Sequence, residues 1–345
     1  MSGISVVARK EFFDHVTGRR FLVILTLLVL ISAVAMNSGV DRYNNELDIY
    51  KERIAAIEEL PGEESGRMPS KPSMPLLVFE WMIQLFSILG AILAITMGFD
   101  LISGEKESGS LKSLLSHPLF RDAVINGKAI GGIGALGLAM IVMALLSIGF
   151  IMMLGIIPSG DEFVRILVLM GFTLLFMVSF FSAALMSSAI ARNSTRAILY
   201  SLLIYIVLSF VMPITGTIVG MEMVGDMPEL PGMGMQPMNE SESISEEELN
   251  RMQREFEEYW EDVQKITEPF TMSDPSSNYG RVASAVINPR FESSFTSGSV
   301  TGEPPAETTI TEALGKVWPS LVVLITFPII MFAIAYIRFM RIDLR

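Results

Sequence analysis

Apolar residues in this chain gather in long unbroken runs. Six runs approach or exceed the roughly 20 residues that a helix needs to cross a bilayer core. They cover about 21–40, 79–102, 129–157, 163–190, 197–220 and 317–337. The third and fourth are longer than necessary, which predicts tilt or extension past the hydrocarbon. Glu80 and Asp100 stand at the two ends of the second. Pro213 and Gly216 predict a kink near the far end of the fifth, and the sixth contains Pro319 and Pro328. The predicted fold class is an all-α polytopic membrane protein with six transmembrane helices, forming one membrane domain over 1–345.

The polar segments are unequal. Residues 158–162 and 191–196 leave room only for turns, whereas 41–78, 103–128 and 221–316 are long. Tyr43, Leu47, Tyr50, Ile54 and Ile57 form one helical stripe, which either covers the loop or prolongs the first span. Ser245-Glu246-Glu247-Glu248 reads as a capping box, followed by a second stripe of Leu249, Met252, Phe256, Tyr259, Val263 and Ile266. Glu247 with Arg251, and Glu261 with Lys265, are expected to pair along that helix. These are either solvated helical insertions, or stripes that pack together or on a partner protein. Gly127, Gly131, Ala135 and Ala139 place small residues on one face of the third span, which favours close packing.

Charge sets the orientation. Segments 1–20, 103–128, 191–196 and 338–345, with the adjoining Asp100, hold 13 of the 25 basic residues but only 7 of the 37 acidic ones. Basic residues favour the cytoplasmic side, so both termini are expected there, and 41–78 and 221–316 outside. The net charge of −12 then belongs to the outer loops and argues against nucleic acid as a partner. Charged residues make up 18% of the chain, below the roughly 25% of soluble proteins. Ala33-Val34-Ala35 resembles a signal-peptidase site, but the preceding polar stretch is long for a signal sequence. Asn239-Glu240-Ser241 is a glycosylation sequon on the expected outer side.

Several chemistries lack their residues. Cysteine is absent, and His15 and His117 are the only histidines. No ionisable residue falls at the centre of a span, where a coupling-ion pathway would need one. Gly104 to Ser110 has glycines at both ends of its first six residues, but a serine where a phosphate-binding loop requires lysine. The chain is therefore expected to bind no cofactor and to draw any energy from another polypeptide. Met221, Met223, Met227, Met233, Met235 and Met238 form a cluster whose thioethers suit Cu(I), although methionine also fills apolar gaps.

The segment 103–128 opens with a polar turn and continues into a short helix. Pro118 breaks that helix, and a new one begins near Arg121-Asp122. Its run Gly-Glu-Lys-Glu-Ser-Gly-Ser-Leu, then Leu-Leu-Ser-His-Pro, Arg-Asp and Gly-Lys, closely resembles the loop after the second span of ABC type-2 permeases. Ser110 stands for the usual threonine and Phe120 for the usual serine. Residues 4–20, with Val7-Ala8-Arg9-Lys10-Glu11-Phe12, resemble the family's interfacial elbow helix. Asp274 to Tyr279 and Ala283 to Pro289 resemble its segment before the last span.

The resemblance implies a non-catalytic permease of an ATP-driven exporter in the plasma membrane of a prokaryote, with ATP bound on a separate ABC ATPase subunit. Glu105, Lys106, Glu107, Leu111, Leu114, Leu115, His117, Pro118 and Arg121 would form the coupling contact with that ATPase. Arg192 and Arg196 would add a smaller one. Two such halves, a homodimer or a pair of similar permeases, would assemble among membrane lipid. Other readings are a permease serving copper-enzyme maturation, and a scaffold that binds an outer partner without transport.

Overall fold

The computed structural model describes residues 3–58, 83–110, 120–153, 155, 157–228, 246–287 and 309–342, and those residues contain helices and no strands. Among the described residues, six helical segments are long and apolar enough to cross a membrane: Arg19–Glu52, Ile83–Glu107, Arg121–Met153, Gly160–Ile190, Ser194–Val224 and Trp318–Met340. Each contains or overlaps one apolar run of the sequence.

Helix α1 (Gly3–Val16) stands apart from the first span, and α2 (Arg19–Glu58) follows after a two-residue turn. The α2 helix runs unbroken through Tyr43–Ile54, so that stripe prolongs the span. Leu22, Val23, Leu30 and Val34 of α2 are exposed, as lipid-facing residues are. In the second span a π turn (Phe86–Gly90) leads into α3 (Ala91–Gly98), and the short α4 (Ser103–Glu107) ends it. Then come α5 (Arg121–Met153), α6 (Gly160–Ile190), and α7 (Ser194–Ile206), which continues through a π turn into α8 (Met212–Val224). Pro213 sits in the first turn of α8, where its missing N–H costs least. The remaining helices are α9 (Glu246–Met272), α10 (Pro275–Ile287), α11 (Ile310–Lys316) and α12 (Trp318–Met340).

Helix α6 is the hub, with α3, α10 and α12 packed along it. Small residues permit this closeness. A Cβ on Gly98 would lie 2.8 Å from both the Ala184 side chain and the Phe181 carbonyl of α6. The small face of the third span serves a different neighbour. A Cβ on Gly131 would meet the Ala8 carbonyl at 2.7 Å, and one on Gly127 would meet Val7. Helix α1 thus docks along the start of α5, and the small face is its seat.

The segment 246–287 is not a plain solvated loop. The α9 stripe packs on α8, with Tyr259 and Val263 buried, and among the described residues it does not pack along the α2 stripe. Along α9 the observed ion pairs are Arg251–Glu255 and Lys265–Asp262, each the neighbour of the pair expected from spacing. The Glu247 side chain and Ser245 lie outside the described residues. After α9 the chain turns at Asp274, and α10 enters the body between α6 and α12. Tyr279 is fully buried there, stacked on Phe176 at 4.7 Å and hydrogen-bonded to Thr173 at 2.9 Å. Asp274 is buried too, with its carboxylate accepting from the Ser276 and Ser277 N–H groups and from the Ser209 hydroxyl. These bonds satisfy the first turn of α10, which otherwise would bury bare donors.

Gly220 fixes how closely α9 can lie. A Cβ there would sit 2.8 Å from the Val263 carbonyl, so a larger residue must push the helix off. Gly220→Leu is expected to make α9 cleavable by protease while the spans stay protected. Limited proteolysis in detergent checks this, and unchanged α9 protection would refute it.

Candidate functional site

The residues expected to meet an ATPase begin at α4. The chain breaks its helix at 99–102 and restarts at Ser103, which leaves backbone donors open. The Ser188 hydroxyl of α6 accepts from both Ile102 N–H and Ser103 N–H, at 3.0 and 2.9 Å. Ser188 is fully buried, so this one oxygen ties the break to the hub.

Each of the next three charged residues then grips a different element. Glu105 Oε1 accepts from Lys128 Nζ of α5 at 2.7 Å. The same ammonium donates to Glu11 of α1 at 2.8 Å. Lys128 is 1% exposed, so one buried cation holds α1, α4 and α5 together. Lys106 Nζ reaches the carbonyls of Ala189 and Ala191 at 2.7 and 3.0 Å, and closes the C-terminal end of α6. Glu107 is exposed, and its Oε2 accepts from the Ser194 N–H at 3.0 Å. That donor opens α7, where a carboxylate complements the helix dipole.

Arg121 at the start of α5 donates to the carbonyls of Met340 and Ile342 at 3.2 and 2.9 Å, and so caps α12. Arg192 and Arg196 are exposed on the 191–196 turn, where Asn193 caps α7 through the Arg196 N–H. Leu111, Leu114, Leu115, His117 and Pro118 lie outside the described residues. So do Met233, Met235 and Met238. Met223 and Met227 are exposed, and Met221 is half-buried. Residue spacing could not reveal the Glu11–Lys128–Glu105 cluster. Its members are far apart in sequence, and only the docking of α1 on α5 unites them.

Beside this cluster lies a cavity of about 450 Å³, lined by α1, the start of α2, α3 and α4. Arg20 and Asp100 pair across it, with Arg20 also over the Phe99 ring. His15 lines the cavity wall, and its Nε2 is buried without a hydrogen-bond partner among the described residues. Burial lowers the His15 pKa below its ordinary value, outweighing the pull of Glu11 and Asp100. The unfolded chain therefore takes the proton first as pH falls. Stability should decline as pH drops below about 6.5, the ordinary histidine value, and level off below the lowered folded-state pKa. His15→Gln should flatten that part of the curve. Thermal unfolding between pH 7.5 and 5 tests it, and an identical slope in the variant would count against this account.

Six apolar helices packed about one of their own number, α6, with the short helix α1 docked at one end, define a polytopic helical membrane protein. The chain belongs to the ABC-2 family of transporter proteins, whose family model matches residues 5–344. It is accordingly an ABC transporter permease, a membrane component of transport. No curated protein matches the chain.

Proposed function

We propose that this permease is the membrane half of an ATP-driven exporter in the plasma membrane, moved by a separate ABC ATPase. Both termini and the 103–128 loop lie in the cytoplasm. The ATPase docks on 103–128, with Arg192 and Arg196 as a second contact. Two permeases and two ATPases make the working unit, and this chain holds no nucleotide itself.

One observation carries the reading. Glu105, Lys106 and Glu107 are consecutive, yet they bond to α5, to the end of α6 and to the start of α7 respectively. Through Lys128, Glu105 also reaches α1. A load applied to 103–128 therefore passes to most of the bundle at one point. A simple connection between two spans would have no use for so many attachments. The basic excess on this face agrees with a cytoplasmic side.

Mild-detergent isolation of the tagged full chain from its native membrane tests the proposal. An ABC ATPase should come with it, and the complex should hydrolyse ATP. Recovery of the folded chain without any nucleotide-hydrolysing subunit would overturn it.

A further inference from the structure

The cavity between the elbow helix and the first two spans has an uneven distribution of charge. Its floor is the buried cluster in which one ammonium, Lys128, faces two carboxylates, Glu11 and Glu105. That floor carries one net negative charge, and Glu105 Oε2 is buried with no partner among the described residues. At the rim, Lys10 pairs with Asp14 at 2.9 Å and touches Glu11 of the floor at 3.4 Å, and Arg20 pairs with Asp100, so in sum these two cations and the two rim carboxylates cancel. Arg19 is left. It lines the cavity, is exposed, and has no ion pair or hydrogen bond among the described residues. The site is thus negative inside and positive outside, and neutral in sum.

Its position is equally specific. The charged end lies where α2 begins and the second span ends, at a membrane–water boundary. Ile24 and Thr96, one turn further into the spans, form a half-buried wall toward the bilayer. A ligand here meets charge at one end and hydrocarbon at the other. The volume of about 450 Å³ lies in the range of small-molecule pockets, roughly 300–1,000 Å³.

We propose that this cavity binds the headgroup of a phospholipid with a primary ammonium, as in phosphatidylethanolamine. The ammonium lies over the Glu11–Lys128–Glu105 floor, the phosphate meets Arg19, and the acyl chains leave past Ile24 and Thr96. A primary ammonium has N–H donors for the floor carboxylates, which a trimethylated one lacks. An anionic headgroup has no cation to set against the negative floor. The bound lipid would bridge the elbow helix and the second span without taking part in ATP-driven movement, so the inference stands apart from the coupling proposal.

The test uses the full chain in nanodiscs with equal amounts of phosphatidylethanolamine, phosphatidylcholine and phosphatidylglycerol. Native mass spectrometry after release reads the retained lipid. Phosphatidylethanolamine should exceed each of the others by about tenfold, the size of one charge-assisted hydrogen bond. Arg19→Gln, which removes the phosphate contact, and separately Thr96→Trp, which fills the apolar side, should each lower the amount of phosphatidylethanolamine retained while the elution profile and Tm stay as in the parent. Equal retention of all three lipids would overturn the proposal. So would a preference for phosphatidylglycerol, or phosphatidylethanolamine retention that neither substitution lowers.

Discussion

Lys128→Met is expected to destabilise the protein by about 3–5 kcal/mol, the usual cost of removing one partner from a buried ion pair. The loss comes from what remains. Glu11 is 6% exposed, and without Lys128 its carboxylate has only the partly exposed Lys10, at 3.4 Å. Glu105 keeps no cation at all among the described residues. Met fills the lysine volume, so the change is one of charge and not of packing. The rescue discriminates between these causes. Adding Glu11→Gln and Glu105→Gln to Lys128→Met removes both stranded charges and should recover most of the loss. Thermal unfolding in detergent reads the effect, with a fall in Tm on the order of 10 °C for the single variant. If the triple variant is no more stable than Lys128→Met, the cluster does not act through charge.

The loss should also be local in origin. Lys128 joins α1 to α5 and α4, so an early opening of α1 is expected before the spans separate. The glycine seat supports the same view, because Gly127 and Gly131 leave α1 little other anchorage than close contact and this ion cluster. Faster hydrogen exchange over residues 3–16, ahead of the hub helix α6, would show it.

The spans were legible in the sequence because hydrocarbon imposes a length and a composition that few other environments impose. The continuous α2 was half legible. Its stripe of Tyr43, Leu47 and Tyr50 has helical spacing, but spacing does not say whether a helix stops at the membrane. The seat at Gly127 and Gly131 was legible as a packing face and illegible as to partner, since small residues accept any neighbour. Burial of α10 was hidden because Pro275–Ile287 is too short to span and carries Asn278 and Arg281. Capping by Asp274, the Tyr279–Thr173 bond, the Asn278 amide on the Met272 and Asp274 carbonyls and Arg281 on the Thr271 hydroxyl make such a segment tolerable inside the body. The charged run at 105–107 stood out as a motif, yet its inward bonds depend on where α5, α6 and α7 end in space.

Those bonds change which substitution best tests the coupling proposal. Replacing Glu105 and Glu107 together by lysine is expected to uncouple the ATPase, but Glu105 belongs to the buried cluster. A lysine there would set a second ammonium against Lys128, so loss of folding would mimic loss of coupling. Glu107 is the cleaner position. It is exposed, and its described contacts are with Ser194, through the N–H and the hydroxyl at the start of α7. Glu107→Lys reverses the charge at that helix terminus and breaks the bond between the 103–128 loop and α7, with little else disturbed. ATP hydrolysis in the assembled complex should lose its response to the permease by on the order of tenfold, the effect of one charge-assisted contact on a rate. Assembly with the ATPase and the Tm should be retained. Glu107→Gln keeps an acceptor oxygen for Ser194 and should fall between the two. A Glu107→Lys complex that hydrolyses ATP and transports as the parent does would mean that force does not pass from 103–128 into α7.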